Sequence, residues 1–531
     1  MLKKLLFVSC AALACSTSFA FINPNFSPVH LMEQSETVLA ISFDKPLKDG
    51  KAEATVVKAL KGEKPAKPLV FDLGASAFPA QGKEVEAMIA DGAREAMLFT
   101  GQFGEGGGGA AAEGAKGMLH VCGMWVVFNG NEDGSWDLEK IDSHMMGTWA
   151  GSTDMLRRAI DYILSDPDAD VPVRSNAEWD TAVKFATIEG KVTGAIPVEC
   201  DGKLALYVAC DKGDMLFPWK DGKLVGEPQD TGLARAKTNV PIDLAKVSDV
   251  GAQGAVFYAD FDGDGLPDIL QMFERAACFY KGTAPGKFAE PVKTQLALGK
   301  GKSTAQIGDY DADGLLDVFC SAEDGNHLWH NLGGGKFVNR LSPTLSRSMS
   351  GEIDYISKPG GVDGMTGDVN NDGRQDILVA YAEMAPHIFF DRGFRSFGHA
   401  HEIDLAEQKL LEEASKGQQA CALADFTGDG AQDLVIVLTN GDAWLFPRRV
   451  VGKALSVSVS LGKDAPDPLL VVGYAGKRCL GAWNVTRGGN PAFFGLTDAG
   501  TVTLKWKLPT GEEKSAKVDV IDRAVRYVVA P

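Results

Sequence analysis

The sequence predicts a mainly β protein: a β-propeller of repeated units, preceded by a small β domain plus helix and followed by a β-sandwich. Three observations predict it. A nonapeptide of pattern D-x-[DNT]-x-D-G-x-x-D occurs four times, starting at Asp260, Asp309, Asp368 and Asp425, at spacings of 49, 59 and 57 residues. Each copy runs into a short apolar strand, as in Asp376 to Tyr381 and Asp433 to Leu438. Each is followed by an aromatic marker such as Leu328-Trp329-His330-Asn331 or Trp444-Leu445-Phe446-Pro447. Units of about four strands over roughly fifty residues are the signature of a propeller blade.

Taken in order, Met1 to Ala20 reads as a signal peptide. Lys3 and Lys4 precede an apolar stretch from Leu5 to Ala14, and Ser18-Phe19-Ala20 offers small-x-small cleavage. A secreted, periplasmic or cell-surface protein is therefore expected, and Cys15 after Ala12-Leu13-Ala14 keeps a lipoprotein alternative open. No later segment approaches the eighteen or more continuous apolar residues of a membrane span. The 531 residues carry a formal charge of −18, or −20 without Lys3 and Lys4, which argues against nucleic-acid and anionic-membrane partners. Seven Cys follow residue 20 without a C-x-x-C or zinc spacing, and read as buried small hydrophobes.

Residues 21–180 contain strand-like runs at 37–43, 54–57, 69–71, 96–99 and 124–128, with Lys48-Asp49-Gly50 as a hairpin turn. They predict a small β-barrel or sandwich. Gly104 to Gly117 is almost all Gly, Ala and Glu and reads as a flexible loop. A helix over about 152–164 follows, capped by Ser152 or Thr153. Its apolar stripe is Met155, Leu156, Ala159, Ile160, Ile163 and Leu164. Asp166 to Ser175 reads as a linker.

The repeat region spans 185–450. Its first unit, around Asp201-Gly202, has a turn and a strand without the carboxylates, so no ion is expected there. The four true loops place oxygen side chains at positions one, three, five and nine. The first offers Asp260, Asp262, Asp264 and Asp268, and the second Asp309, Asp311, Asp313 and Asp317. The third offers Asp368, Asn370, Asp372 and Asp376, and the fourth Asp425, Thr427, Asp429 and Asp433. The carbonyls of position seven (Leu266, Leu315, Arg374 and Ala431) add a further oxygen. Carboxylates this close repel one another unless a cation joins them. An oxygen-only set around a tight turn, with Gly at position six, suits a hard divalent ion. About four Ca2+ ions are expected. Position twelve is Gln271, Cys320, Val379 and Ile436, never Glu, so these are not EF-hands.

Residues 453–531 alternate in period two, as in Ala454 to Leu461 and Thr501 to Trp506, and predict a small antiparallel sandwich with one wet face.

The four Asp loops, with their downstream aromatic and Gly-Lys-Phe markers, resemble FG-GAP or VCBS-type repeats, the calcium-loop blades of integrin alpha propellers. Phe493-Phe494-Gly495-Leu496 and Val502 to Gly511 resemble the ASPIC/UnbV domain that follows such repeats in bacterial secreted proteins. The first resemblance implies a calcium-stabilised extracellular propeller used for binding or adhesion. Five units are legible, and integrin-type propellers close with about seven, inside the usual range of four to eight.

The leading functional expectation is a secreted, non-enzymatic binding, adhesion or scaffold protein with a protein or glycan ligand. A polysaccharide hydrolase or lyase is the alternative, and a purely structural envelope protein the third. No G-x-S-x-G or H-E-x-x-H motif is present. His399-x-His401 reads as part of an exposed turn, and His327 and His330 as packing around Leu328-Trp329.

Overall fold

The structure, a computed structural model, describes residues 28–44, 47–90, 95–101, 103, 116–122, 124–142, 145, 149, 153–165, 177–200, 202–225, 253–339, 360–391, 397–403 and 417–530. The expected signal peptide with Cys15, most of the Gly-rich stretch, Ser152, the linker and Asp201 lie outside the described residues. Across these residues the chain is mainly β.

The first part is a closed seven-stranded barrel, which resolves the choice between barrel and sandwich. Its strands run Ser35–Ser42, Lys51–Lys61, Leu69–Asp72, Ser135–Ile141, Met124–Gly130, Lys116–Val121 and Glu95–Gly101, and the last pairs back to the first. Only Leu69–Asp72 and Ser135–Ile141 run parallel. Alternate residues of the first strand serve two cores. Leu39 and Ile41 point into the barrel with Phe71 and Phe128. Val38 and Ala40 point outward, where helices α1 (Pro28–Gln34) and α3 (Thr153–Ser165) cover them. Of the α3 stripe, Leu156, Ala159 and Ile160 are buried, whereas Leu164 is 43% exposed. A further helix, α2 (Pro79–Ala90), starts on a proline, a favoured first helical residue, and packs Val85 and Ile89 onto the inner core.

Five four-stranded antiparallel sheets follow. The first holds Val192–Cys200, Lys203–Cys210, Met215–Lys220 and Lys223–Leu224, and the second Gln253–Ala259, Asp268–Phe273, Ala277–Tyr280 and Val292–Thr294. The third holds Ser303–Gly308, Asp317–Ala322, Gly325–Asn331 and Phe337–Asn339, and the fourth Gly361–Gly367, Asp376–Tyr381, His387–Asp391 and Phe397–Glu402. The fifth holds Gln418–Ala424, Asp433–Leu438 and Asp442–Phe446, and takes its last strand, Val183–Thr187, from before the first sheet. The segment near residue 185, where the repeat region was expected to begin, completes the last unit instead of opening the first. Thr187 donates to Asp442 at 2.9 Å and Lys184 pairs with Asp442 at 2.6 Å across this closure. The first strands of sheets two, three, four, five and one are neighbours in that order. Four buried cores fill the spaces between successive sheets. Strands Asp268–Phe273, Asp317–Ala322, Asp376–Tyr381 and Asp433–Leu438 are buried throughout. They are covered on both faces, so they read as near-continuous apolar runs after their initial Asp, broken by Gln271 in the first and Ser321 in the second.

The C-terminal part is two sheets over one core. Leu455–Leu461 lies between Ala492–Leu496 and Val525–Val529, facing the sheet of Arg478–Val485, Leu469–Ala475, Gly500–Lys507 and Glu513–Val520. Leu455–Leu461 and Val525–Val529 run parallel, so the sandwich is not wholly antiparallel. Cys122 and Cys200 are exposed, in contrast to buried Cys210, Cys278, Cys320 and Cys421. His399 and His401 fall in strand Phe397–Glu402, not in a turn.

Candidate metal sites

Each nonapeptide joins the first and second strands of sheets two to five, and all four loops fold alike. Position one accepts amides from within its own turn. Asp260, Asp309, Asp368 and Asp425 each accept the N–H of position five at 3.0–3.2 Å on one oxygen. The other oxygen takes the N–H of position six at 2.8–3.0 Å. Position five then accepts the N–H of position seven at 2.9–3.0 Å. The backbone is left-handed at position four as well as six: Gly263, Ala312, Asn371 and Gly428 have φ of 69°, 54°, 58° and 75°. Only the position-six glycines were expected from the sequence. Gly at six has a second reason, since a Cβ on Gly265 would lie 2.5 Å from the carbonyl oxygen of Leu508 in the sandwich.

Position nine is the anchor. Asp268, Asp317, Asp376 and Asp433 are fully buried. One oxygen of each takes an amide from the end of the third strand or just past it: Gly282 at 2.7 Å, Asn331 at 2.8 Å, Asp391 at 2.9 Å and Arg448 at 2.9 Å. The other oxygen of Asp268, Asp376 and Asp433 accepts a loop amide, from Phe261, Val369 and Thr427 respectively.

The sandwich sits directly on these loops. The amide of Ala482 donates to Asp309 at 2.9 Å, and that of Gly495 to Asp368 at 2.7 Å. Ser456 donates to the carbonyl of Gly430 at 2.9 Å. Farther along the seam, Arg526 pairs with Glu199 of the first sheet.

Two groups bring three ligand atoms within 4.8 Å of one another: Asp260, Asp262 and Asp268 in the first loop, and Asp311, Asp313 and His330 in the second. In the third and fourth loops position three is Asn370 and Thr427, and the cradle is built from fewer carboxylates. Burial drives the carboxyls upward, and neighbouring carboxylates add to it. Asp260 and Asp425 are pushed to about 6, Asp268 and Asp433 to about 7, and Asp368 to about 8. Asp309 and Asp376 are also held well above the usual carboxylate range.

The residues fit a divalent cation. The donors are hard oxygens, and the buried Oδ1 of Asp262 has no hydrogen-bond partner among the described residues. In the first loop Lys281 also faces the carboxylates, contacting Asp262 and lying 2.8 Å from Asp264. Burial lowers the ammonium pKa, but the bonds to those two carboxylates outweigh it and hold it above its ordinary value. Lys281 and His330 were not read from the sequence as loop residues. Both sit across the strand pair from position nine, a relation set by register and not by spacing in the chain.

Residues 260–320 and 368–446 match the family model described as FG-GAP-like repeat. The chain carries FG-GAP-like repeats, and the two matched segments contain all four loops. No curated protein matches the chain. Among solved structures, an Agrocybe aegerita lectin described as recognising non-reducing terminal N-acetylglucosamine is 15% identical, over 63% of this chain and 81% of its own, with a TM-score of 0.28. The V. cholerae biofilm matrix protein Bap1 is 10% identical over 65% and 64%, with a TM-score of 0.23. Saccharomyces cerevisiae Sqt1 is 7% identical over 76% and 93%, with a TM-score of 0.25. Likenesses of this size carry no argument about partners. No helix among the described residues is long and apolar enough to cross a membrane.

Proposed function

We propose that this is a secreted or cell-surface binding protein, non-enzymatic, in which calcium-loaded FG-GAP-like loops brace a β-propeller of five blades. The closing strand Val183–Thr187 seals the last blade, and the C-terminal sandwich is an ASPIC/UnbV-like cap. One observation carries the reading: four carboxylate cradles with the same loop hydrogen bonds lie against the sandwich, which is hydrogen-bonded to two of their first carboxylates. Ions there hold turn, blade and cap together.

The partner's seat is the seam between the first sheet, the fourth loop and the sandwich. A cavity of about 500 Å3 opens there, lined among others by Lys203, Trp219, Lys220, Asp221, Thr427 and Asn490. A flat aromatic face among donors and acceptors suits a hydroxyl-rich glycan, and ligand sites favour such concave junctions. The test is a glycan array probed with the mature protein in calcium and in chelator, beside Trp219→Ala. Glycan binding lost in Trp219→Ala, in a chain still folded at the assay temperature, is the expected result. Cleavage of a polysaccharide by the purified chain would replace this reading with the hydrolase or lyase one.

A further inference from the structure

The four cradles differ in the residue that the third strand sets beside position nine. The strand pairs Ile269 with Tyr280, Val318 with Trp329, Ile377 with Phe389 and Leu434 with Phe446. One step further along each pair sets Lys281, His330, Phe390 and Pro447 opposite the position-nine carboxylates. In the fourth and fifth sheets this residue brings only carbon to the loop. In the second sheet it brings an ammonium. In the third it brings an imidazole: His330 is buried, with Nδ1 3.1 Å from Asp317 Oδ1 and 3.6 Å from Asp311 Oδ2.

Resting on the reading of the loops as cation sites, we infer that the second loop is a mixed nitrogen–oxygen site for a borderline transition cation such as Zn2+, with His330, Asp311 and Asp313 as its ligands. Calcium is bound through oxygen, whereas imidazole suits zinc, copper, iron and nickel. One ring nitrogen and two carboxylate oxygens gather within 4.8 Å. Zinc ligands about 2.0–2.2 Å from the ion stand roughly 3.3–3.6 Å apart in a tetrahedron. The 3.6 Å from His330 Nδ1 to Asp311 Oδ2 is already at that spacing. Asp313 is exposed, so the ion enters from solvent and a fourth position stays open to water. The other three loops, whose own side-chain donors are all oxygens, remain calcium sites.

The experiment uses the untagged full chain in excess calcium, titrated with Zn2+ by calorimetry, with metals counted after gel filtration. One zinc is expected per chain, replacing one calcium. His330→Phe copies the fourth sheet, and His330→Gln keeps a hydrogen-bonding side chain beside Asp317. Each variant is expected to weaken zinc binding at least tenfold while the calcium count of the other loops stays the same. The inference is overturned if the native chain retains no zinc, or if both variants bind zinc as it does; His330 is then a hydrogen-bonded packing residue. Retention of calcium without zinc defeats this inference alone, whereas retention of neither ion defeats the cation-loop reading with it.

Discussion

The side-chain oxygen of Gln375 accepts the backbone N–H of Asp309 at 2.8 Å, joining position eight of the third loop to position one of the second. Gln432 does the same for Asp368 at 2.7 Å, one sheet further on. Gln375 also donates to the carbonyl of Ala482 at 2.8 Å, so a single amide ties two sheets and the sandwich. Gln375→Ala leaves two buried backbone groups without these bonds. An unmade buried hydrogen bond costs about 1–3 kcal/mol, so urea denaturation is expected to show a loss of about 2–6 kcal/mol for the two, in calcium and in chelator alike.

Position nine and position five separate the anchor from the ion. In Asp376→Asn an amide NH2 must face either the Val369 or the Asp391 amide, each now donating at 2.9 Å. A loss of about 2 kcal/mol is expected even in chelator. Asp429 is exposed and accepts the Ala431 amide at 3.0 Å, a bond that Asn can keep. Asp429→Asn is therefore expected to match the native chain in chelator and to fall short of it only in calcium. Equal losses of the two variants in chelator would remove the distinction.

The loops were legible because each packs its chemistry into nine consecutive residues, and the strands after them because Asp376 to Tyr381 and Asp433 to Leu438 are apolar on both faces. What escaped depends on relations between distant segments. Val183–Thr187 is half-exposed and finds its place only by pairing with Asp442–Phe446, more than 250 residues away. His330 enters the second cradle through strand register. The parallel pairing of Leu455–Leu461 with Val525–Val529 leaves no local trace, since either direction buries the same alternate residues. Helix α2 was readable: Pro79 and the four-residue spacing of Val85 and Ile89 mark it, but Gly82 inside the run obscures the period.

Asp363, on the first strand of the fourth sheet, supplies a pH dependence away from the loops. Burial raises its carboxyl to about 7, against the opposing effect of the Cys421 and Gly364 amides that donate to it. A raised folded pKa favours the fold while the group stays protonated, so its contribution is complete below about 4 and is lost as the pH rises through about 7. In excess calcium, unfolding free energies of the native chain and Asp363→Asn are expected to diverge by on the order of 2–4 kcal/mol between pH 4 and pH 8, the native chain falling more steeply. Parallel curves would show that Asp363 does not titrate in this window.

The central claim is that the four loops are ion sites that brace the fold. The direct measurement is a calcium count by equilibrium dialysis in zinc-free buffer, paired with melting curves in calcium and in chelator. About four ions per chain are predicted, with Asp264→Ala, Asp313→Ala and Asp372→Ala each losing about one. Each site filled at ten times its Kd adds about 1.4 kcal/mol, so chelator should lower the melting temperature clearly. A chain that binds no calcium, or one whose melting curve is the same in chelator, would contradict the account.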